Sequence, residues 1–278
     1  MEENLYLGLK KNQLVLFADI LGFKNEVKDN ATTSLYNSCI DAAYSANGNV
    51  LTVDFRQIFN HINDKYSLEK QTELQIKFLW VSDSIIVSTH KNNTDTLFAV
   101  LDDITSILYT SSFSLRGGIA LGDLYHENNI WGPAYIDAVE IESKLAVYPR
   151  ILIQEAVINT FEDNSRYLLY VEKCEQPAFY QYDYFKSCLA KIANDEKDII
   201  SPISLYGKFI LRSFENASST ELIEKYVWLA EKLVKAINEN SQYLDNYLEK
   251  CVKMHGKGYR VSTLEVLVEQ LKGITISR

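Results

Sequence analysis

From Gln13 to Ile20 the chain reads QLVLFADI, apolar everywhere except Gln13 and Asp19. An unbroken apolar run of this length predicts a strand buried on both faces. Residues 32–64 place Leu35, Cys39, Ala42, Ala43, Val53, Ile58 and Ile62 at helical spacing. Two strand-like runs, LQIKFLWV and SIIVSTH, flank Ser82-Asp83 and predict a hairpin. TDTLFAVLDDITSILYTS predicts an amphipathic helix with Thr94 as its N-cap. SLRGGIALGDLYH reads as a strand broken by glycines, and GPAYIDAVEIESKLAVY as a helix that Pro149 ends before the strand RILIQ. RYLLYVE and AFYQYDYF read as a closing pair of strands. Beyond residue 185 the spacing is helical, most clearly in STELIEKYVWLAEKLVKAINEN and STLEVLVEQLKGI.

Strand–helix–strand–strand–helix–strand is the split βαβ order of a ferredoxin-like α+β fold with an antiparallel-rich sheet. The expected organisation is a core over residues 1–185 and a helical C-terminal extension over 186–278 packed on it. That fold hosts many functions, so the chemistry must come from particular residues.

A net charge of −9 over 278 residues argues against nucleic acid or an anionic membrane as partner. It leaves open a polyanionic small ligand, which responds to local groups and bound metal. Cys39, Cys174, Cys188 and Cys251 are scattered without zinc-like spacing and suit a reducing compartment. MEENLYLGLKKN does not read as a signal peptide, and no apolar run approaches the ~20 residues of a membrane span. A cytoplasmic protein is the expectation. His61, His90, His126 and His255 lack metal-ligand spacing. The basic loop Lys253–Val261 reads as a solvated turn more readily than as a phosphate contact.

Two carboxylates stand out. Asp19 ends the first strand and Asp83 sits in the hairpin turn, so pairing of that strand with the hairpin brings them together. An ionised Asp in a dry core costs several kcal/mol unless it is solvated or compensated. Two Asp side chains plus the carbonyl of Ile20 make a hard-ligand site of the kind that holds Mg²⁺ or Mn²⁺ with substrate phosphates. Gly22 and Phe23, at the start of a helix, add N–H groups that favour a phosphate. The competing reading is that each Asp is a solvated strand-end residue, and that Arg116 makes a structural ion pair.

In order along the chain, FADILGF, VSD in a hairpin, LRGGIALG and IWGPAYIDAVEIES resemble the motifs of class III nucleotidyl cyclases over roughly residues 12–185. LRGGIA, WGPA, AVEIE, YPRI and KYVWL are most similar to the pyrimidine cyclases of bacterial Pycsar anti-phage systems. The resemblance implies Asp19 and Asp83 as metal-binding aspartates with the Ile20 carbonyl, and two Mn²⁺ or Mg²⁺ ions per site. It implies Arg116 as a triphosphate or interface contact, with Phe17, Gly22, Phe23 and Lys24 around the substrate. Leu79 and Asn129 would stand at the base. The reaction implied is cyclisation of a nucleoside triphosphate to a 3′,5′-cyclic nucleotide in a homodimer with shared sites, the product acting on a cyclic-nucleotide effector.

This chain departs from the purine cyclases at informative places. Their base-reading Lys or Glu, four residues before the second metal Asp, corresponds to Leu79, which neither donates nor accepts a hydrogen bond. The Asp typical of adenylate cyclases, two before the Trp-Gly pair, corresponds to Asn129. Their transition-state Asn and Arg correspond to Ile136 and Glu140. Either another cation, from Lys24, Lys144 and Arg150, does that work, or the chain is a degenerate, non-catalytic nucleotide-binding module. A uridylate or cytidylate cyclase is the leading expectation, with an adenylate or guanylate cyclase as the alternative.

Overall fold

The computed structural model describes residues 8–21, 55–111, 113–194, 200–241 and 261–276. The elements run β1 (Lys10–Leu21), α1 (Phe55–Lys65), α2 (Leu68–Leu74), β2 (Ile76–Val81), β3 (Ser84–His90), α3 (Thr94–Thr110), β4 (Ser114–His126), β5 (Ile130–Trp131) and α4 (Pro133–Glu140). There follow β6 (Ile151–Gln154), α5 (Glu155–Ile158), β7 (Val171–Lys173) and β8 (Phe179–Tyr182). The sheet order is β2-β3-β1-β4-β6-β8-β7, with β5 paired to β4. Every pairing is antiparallel except β4 with β6. The stretch β2-β3-β1-β4 is the ferredoxin-like arrangement, and the fold is α+β.

Alternation along β1 gives the sheet two distinct faces. Leu14, Leu16, Ala18 and Ile20 are buried on the face shared with Phe78 and Trp80. Phe59 of α1 meets Trp80 edge-on at 5.0 Å, and Phe98 of α3 meets Tyr182 at 6.0 Å, so these helices cover that face. Val15, Phe17 and Asp19 point the other way, where Ala134 and Ala138 of α4 join a cluster with Val15, Ile86 and Ala120. Gly132 starts α4 at φ 136°, and a Cβ there would lie 2.5 Å from the Asp123 carbonyl.

Several expectations shift for local reasons. α2 buries no residue, so it leaves no hydrophobic period to read, and Gln75 caps it in the left-handed region. The strand therefore starts at Ile76 rather than Leu74. Thr94 is already helical, and its hydroxyl donates to the Lys91 carbonyl instead of capping α3. β4 is continuous through its glycines. The helix from Pro133 gives way to a π-turn over Ile141–Leu145 and ends well before Pro149. RYLLY forms a 3₁₀ turn, leaving only Val171–Lys173 as strand. The expected helix over 32–64 is seen from Phe55; its earlier part lies outside the described residues.

The sheet and its helices form one compact unit, and the helices from Tyr184 onward form another. The second contains α6 (Tyr184–Asn194), α7 (Ile200–Glu215), α8 (Thr220–Glu239) and α9 (Val261–Ile276). Ser219 caps α8 by accepting from the Leu222 N–H, and Val227, Leu229, Ala230 and Leu233 form its buried stripe. Among the described residues no helix is long and apolar enough to cross a membrane.

Candidate functional site

The end of β1 and the β2–β3 turn are tied together. Val81 pairs with Ser84, leaving Ser82-Asp83 as a two-residue loop, with Ser82 at the positive φ of 58° that such loops use. Ile20 N–H donates to the Asp83 carbonyl at 2.8 Å, and Trp80 Nε1 donates to the Ser82 carbonyl at 2.8 Å. β1 is a central strand, so the carboxylates stand at the end of the sheet and not at its lateral edge.

Asp19 is paired across β1 with Ser84 on one side and Arg116 on the other. Residues paired in this way point to the same face, so the three side chains form one row. Ser84 Oγ donates to Asp19 Oδ1 at 2.9 Å. Arg116 gives its Nε to Glu142 Oε1 at 2.6 Å, and its Nη2 contacts the same oxygen. Glu142 stands in the sequence only as the last residue of AVEIE, with no role of its own; its contact with Arg116 spans 26 positions, and nothing in local spacing announces it.

The charges are strained. Burial pushes the Asp19 carboxyl above its ordinary value; the Ser84 hydrogen bond opposes this, the Asp83 charge adds to it, and Arg116 opposes it. Burial likewise pushes Glu142 up against the pull of Arg116, with Asp19 and Asp83 adding to the rise. Two or three carboxylates within reach of one guanidinium leave a net negative site, which a divalent cation would relieve. Among the described residues no group of three His, Cys, Asp or Glu is placed to hold a metal ion. Two carboxylates fit a Mg²⁺- or Mn²⁺-type site that completes its shell with water and phosphate oxygens.

The remaining candidates are spread along the same sheet face. Phe17 lies next to the carboxylate row and meets Tyr135 edge-on at 6.0 Å. Leu79 packs at the margin of the cluster around Ile86. Asn129 is exposed in the β4–β5 turn, which Glu127 ties to β2 through Lys77 at 2.7 Å. Leu79 stands in register with Ile86 and Phe17, one step along the face from Asp19, whereas Asn129 lies beside Glu127, whose N–H donates to its carbonyl at 3.1 Å. Gly22, Phe23 and Lys24 lie outside the described residues, as does the loop from Lys253 to Arg260. Of the remaining candidate cations, Lys144 pairs with the exposed Glu140 at 2.8 Å. Arg150 stands at the start of β6 beside Arg116's strand, its Nε buried without a hydrogen-bond partner among the described residues.

A cavity of about 540 Å³ opens at the opposite end of the sheet, among Lys10, Gln13, Lys77, Ser88 and His126. Ser88 Oγ lies 2.7 Å from His126 Nδ1, and burial, followed by the Lys77 charge, pushes that imidazole down to about 4. Glu127 bridges Lys10 and Lys77, whose hydrogen bonds hold it down to about 2. Its polar groups are largely spoken for, and it lies away from the carboxylates.

No protein-family model matches the chain, and no curated protein matches it. Among solved structures, the chain is similar to the adenylyl cyclase CyaB from P. aeruginosa, at 15% identity and TM-score 0.40, covering 63% of this chain and 96% of that one. It is also similar to the catalytic core of a rhodopsin-guanylyl cyclase with converted specificity, at 13% identity and TM-score 0.39, covering 63% and 97%. A third similar structure is the adenylate/guanylate cyclase/hydrolase from Silicibacter pomeroyi, at 14% identity and TM-score 0.37, covering 61% and 95%.

Proposed function

We propose that the chain is a divalent-metal-dependent nucleotidyl cyclase acting on UTP or CTP. The observation that carries the reading is the row Ser84–Asp19–Arg116 with Asp83 in the adjoining turn: two carboxylates and a guanidinium at one end of the sheet. The reaction joins the ribose 3′-oxygen to its own α-phosphorus. The hydroxyl gives up its proton, the bond from the α-phosphorus to the β-bridging oxygen breaks, and pyrophosphate leaves.

Asp19 and Asp83 would hold the metal, with Ile20 offering its carbonyl. Two Mn²⁺ or Mg²⁺ ions, when bound, supply Lewis acidity that lowers the 3′-hydroxyl pKa and neutralises the triphosphate. Arg116 retains donors beyond the two given to Glu142 and would orient phosphate oxygens. Leu79 gives a purine edge no hydrogen bond, whereas the Asn129 amide both donates and accepts, as a uracil or cytosine edge requires. Leu79 and Asn129 would serve the site of a second copy of this chain, and the product would act on a separate effector in anti-phage defence.

A non-catalytic nucleotide-binding module is the second reading. It is favoured by Ile136, exposed at 57%, and by Glu140 in its surface pair with Lys144, where the resemblance calls for an Asn and an Arg. Turnover of each of the four triphosphates with Mn²⁺ separates the readings. Pyrimidine turnover at least about tenfold above purine turnover is expected, since a missing polar partner weakens selection strongly. Better use of ATP would move the assignment to the purine cyclases, and absence of pyrophosphate release would leave the binding module.

A further inference from the structure

Arg116 has a nearer partner by register than the one it uses. It stands directly across the ladder from Asp19, where opposed charges of this kind ordinarily pair. Instead both Nε and Nη2 turn to Glu142, and Asp19 takes its hydrogen bond from Ser84. The backbone is built to allow this. Gly118 lets the end of α4 lie against β4: a Cβ at that position would come within 2.6 Å of Ile141 Cβ and 2.7 Å of the Ala138 carbonyl. The π-turn that follows, closed by the Ala146 N–H donating to the Ile141 carbonyl at 2.8 Å, carries Glu142. Only 7% of the Glu142 side chain is exposed, so this is no solvated surface pair.

We propose that Glu142 is a positioning residue: it holds the Arg116 guanidinium off Asp19 and so keeps the Asp19 carboxylate open to a divalent cation. The inference rests on Asp19 and Asp83 as the metal-binding pair. Without Glu142, Arg116 falls to Asp19, and one carboxylate cannot serve a guanidinium and a metal equally well. An opposite charge at this range biases a carboxylate by one to several powers of ten in proton affinity, and a cation competes in the same way.

The test is Mn²⁺ affinity of the full chain, read by electron paramagnetic resonance of the free ion, with no nucleotide present. Glu142→Gln is expected to weaken binding by at least about tenfold, by the same charge competition. Arg116→Gln is expected to bind at least as tightly as the wild type, and the double variant to match Arg116→Gln. That rescue is the signature a merely structural ion pair would not give. If Glu142→Gln binds as tightly as the wild type, the inference is overturned. A double variant as weak as Glu142→Gln also overturns it, because Glu142 would then act through its own charge. Should Glu142→Gln fail to fold, Glu142→Asp shortens the reach while keeping the charge, and the same loss and rescue are expected. A wild-type chain whose Mn²⁺ binding is absent, or indifferent to Asp19→Asn, overturns the metal reading itself and the inference with it. An unchanged Glu142→Gln beside an Asp19-dependent wild type overturns the inference alone.

Discussion

At one end of β1, Asp19, Asp83 and Glu142 lie within electrostatic reach of one another while Arg116 is bound to Glu142, and burial pushes Asp19 and Glu142 above their ordinary values. At the other end, one carboxylate meets two lysines: Lys10 and Lys77 hold Glu127 down to about 2, and buried His126 is kept neutral beside Ser88. Both ends are polar, and a cavity of about 540 Å³ opens at the second. The difference lies in what each still lacks. The lysine end is satisfied internally, whereas the carboxylate end is left with excess negative charge, which is the condition for recruiting a divalent cation.

Removing the carboxylates should separate the two ends most sharply. Asp19→Ala and Asp83→Ala are each expected to stay folded and to lose at least about 10²-fold in cyclase turnover, the scale of lost transition-state charge stabilisation. Wild-type-like turnover in either variant would remove the metal assignment.

Whether the two parts of the site come from different copies can be tested by mixing defects. Asp83→Asn spoils the metal side and Asn129→Trp blocks the base side, so each homodimer should be nearly inactive. After subunit exchange, half of the dimers are mixed and each carries one intact site, so about a quarter of wild-type activity should return. No recovery despite demonstrated mixed dimers would assign each chain its own complete site.

The lysine end makes a prediction about stability instead of turnover. His126 stays neutral in the native state down to about pH 4, while the unfolded chain takes up the proton near 6.5, so stability is lost as pH falls between these values. Between pH 7 and pH 5 the wild type should lose about 2 kcal/mol relative to His126→Gln, following from 1.36 kcal/mol per pH unit below 6.5. Denaturation curves of the two proteins at both pH values check this; a constant difference would show that His126 is not kept neutral by the fold.

Glu140 sharpens the comparison at its weak limit. Exposed and, among the described residues, paired only with Lys144 at 2.8 Å, it belongs to neither end. Glu140→Ala should change stability by less than about 1 kcal/mol, the usual range for surface pairs. Activity should stay within about threefold, as expected for a substitution away from the charged row. A large loss of turnover would place Glu140 in the chemistry after all.

What the sequence reveals here is what local pattern encodes. Asp19 and Asp83 are legible because a buried strand and a two-residue turn fix them from neighbouring residues alone, and antiparallel pairing then joins them. α2 is hidden because its residues face solvent, leaving no apolar period. Glu142 is hidden for a different reason. Helical spacing runs on through Val147 and Tyr148, and only packing against Gly118 and the π-turn shows where the helix stops and which way Glu142 points. For Arg116, a structural ion pair and a phosphate contact are the two roles its position allows. The geometry makes them compatible, because the guanidinium presents five donors and Glu142 engages two of its nitrogens.

The central claim is most directly tested by incubating the purified chain with Mn²⁺ and each of the four nucleoside triphosphates, and measuring cyclic nucleotide and pyrophosphate together. The expected result is equimolar 3′,5′-cyclic pyrimidine nucleotide and pyrophosphate from the wild type, abolished in Asp19→Ala and Asp83→Ala. A folded wild-type chain that releases neither product from any of the four would contradict the account.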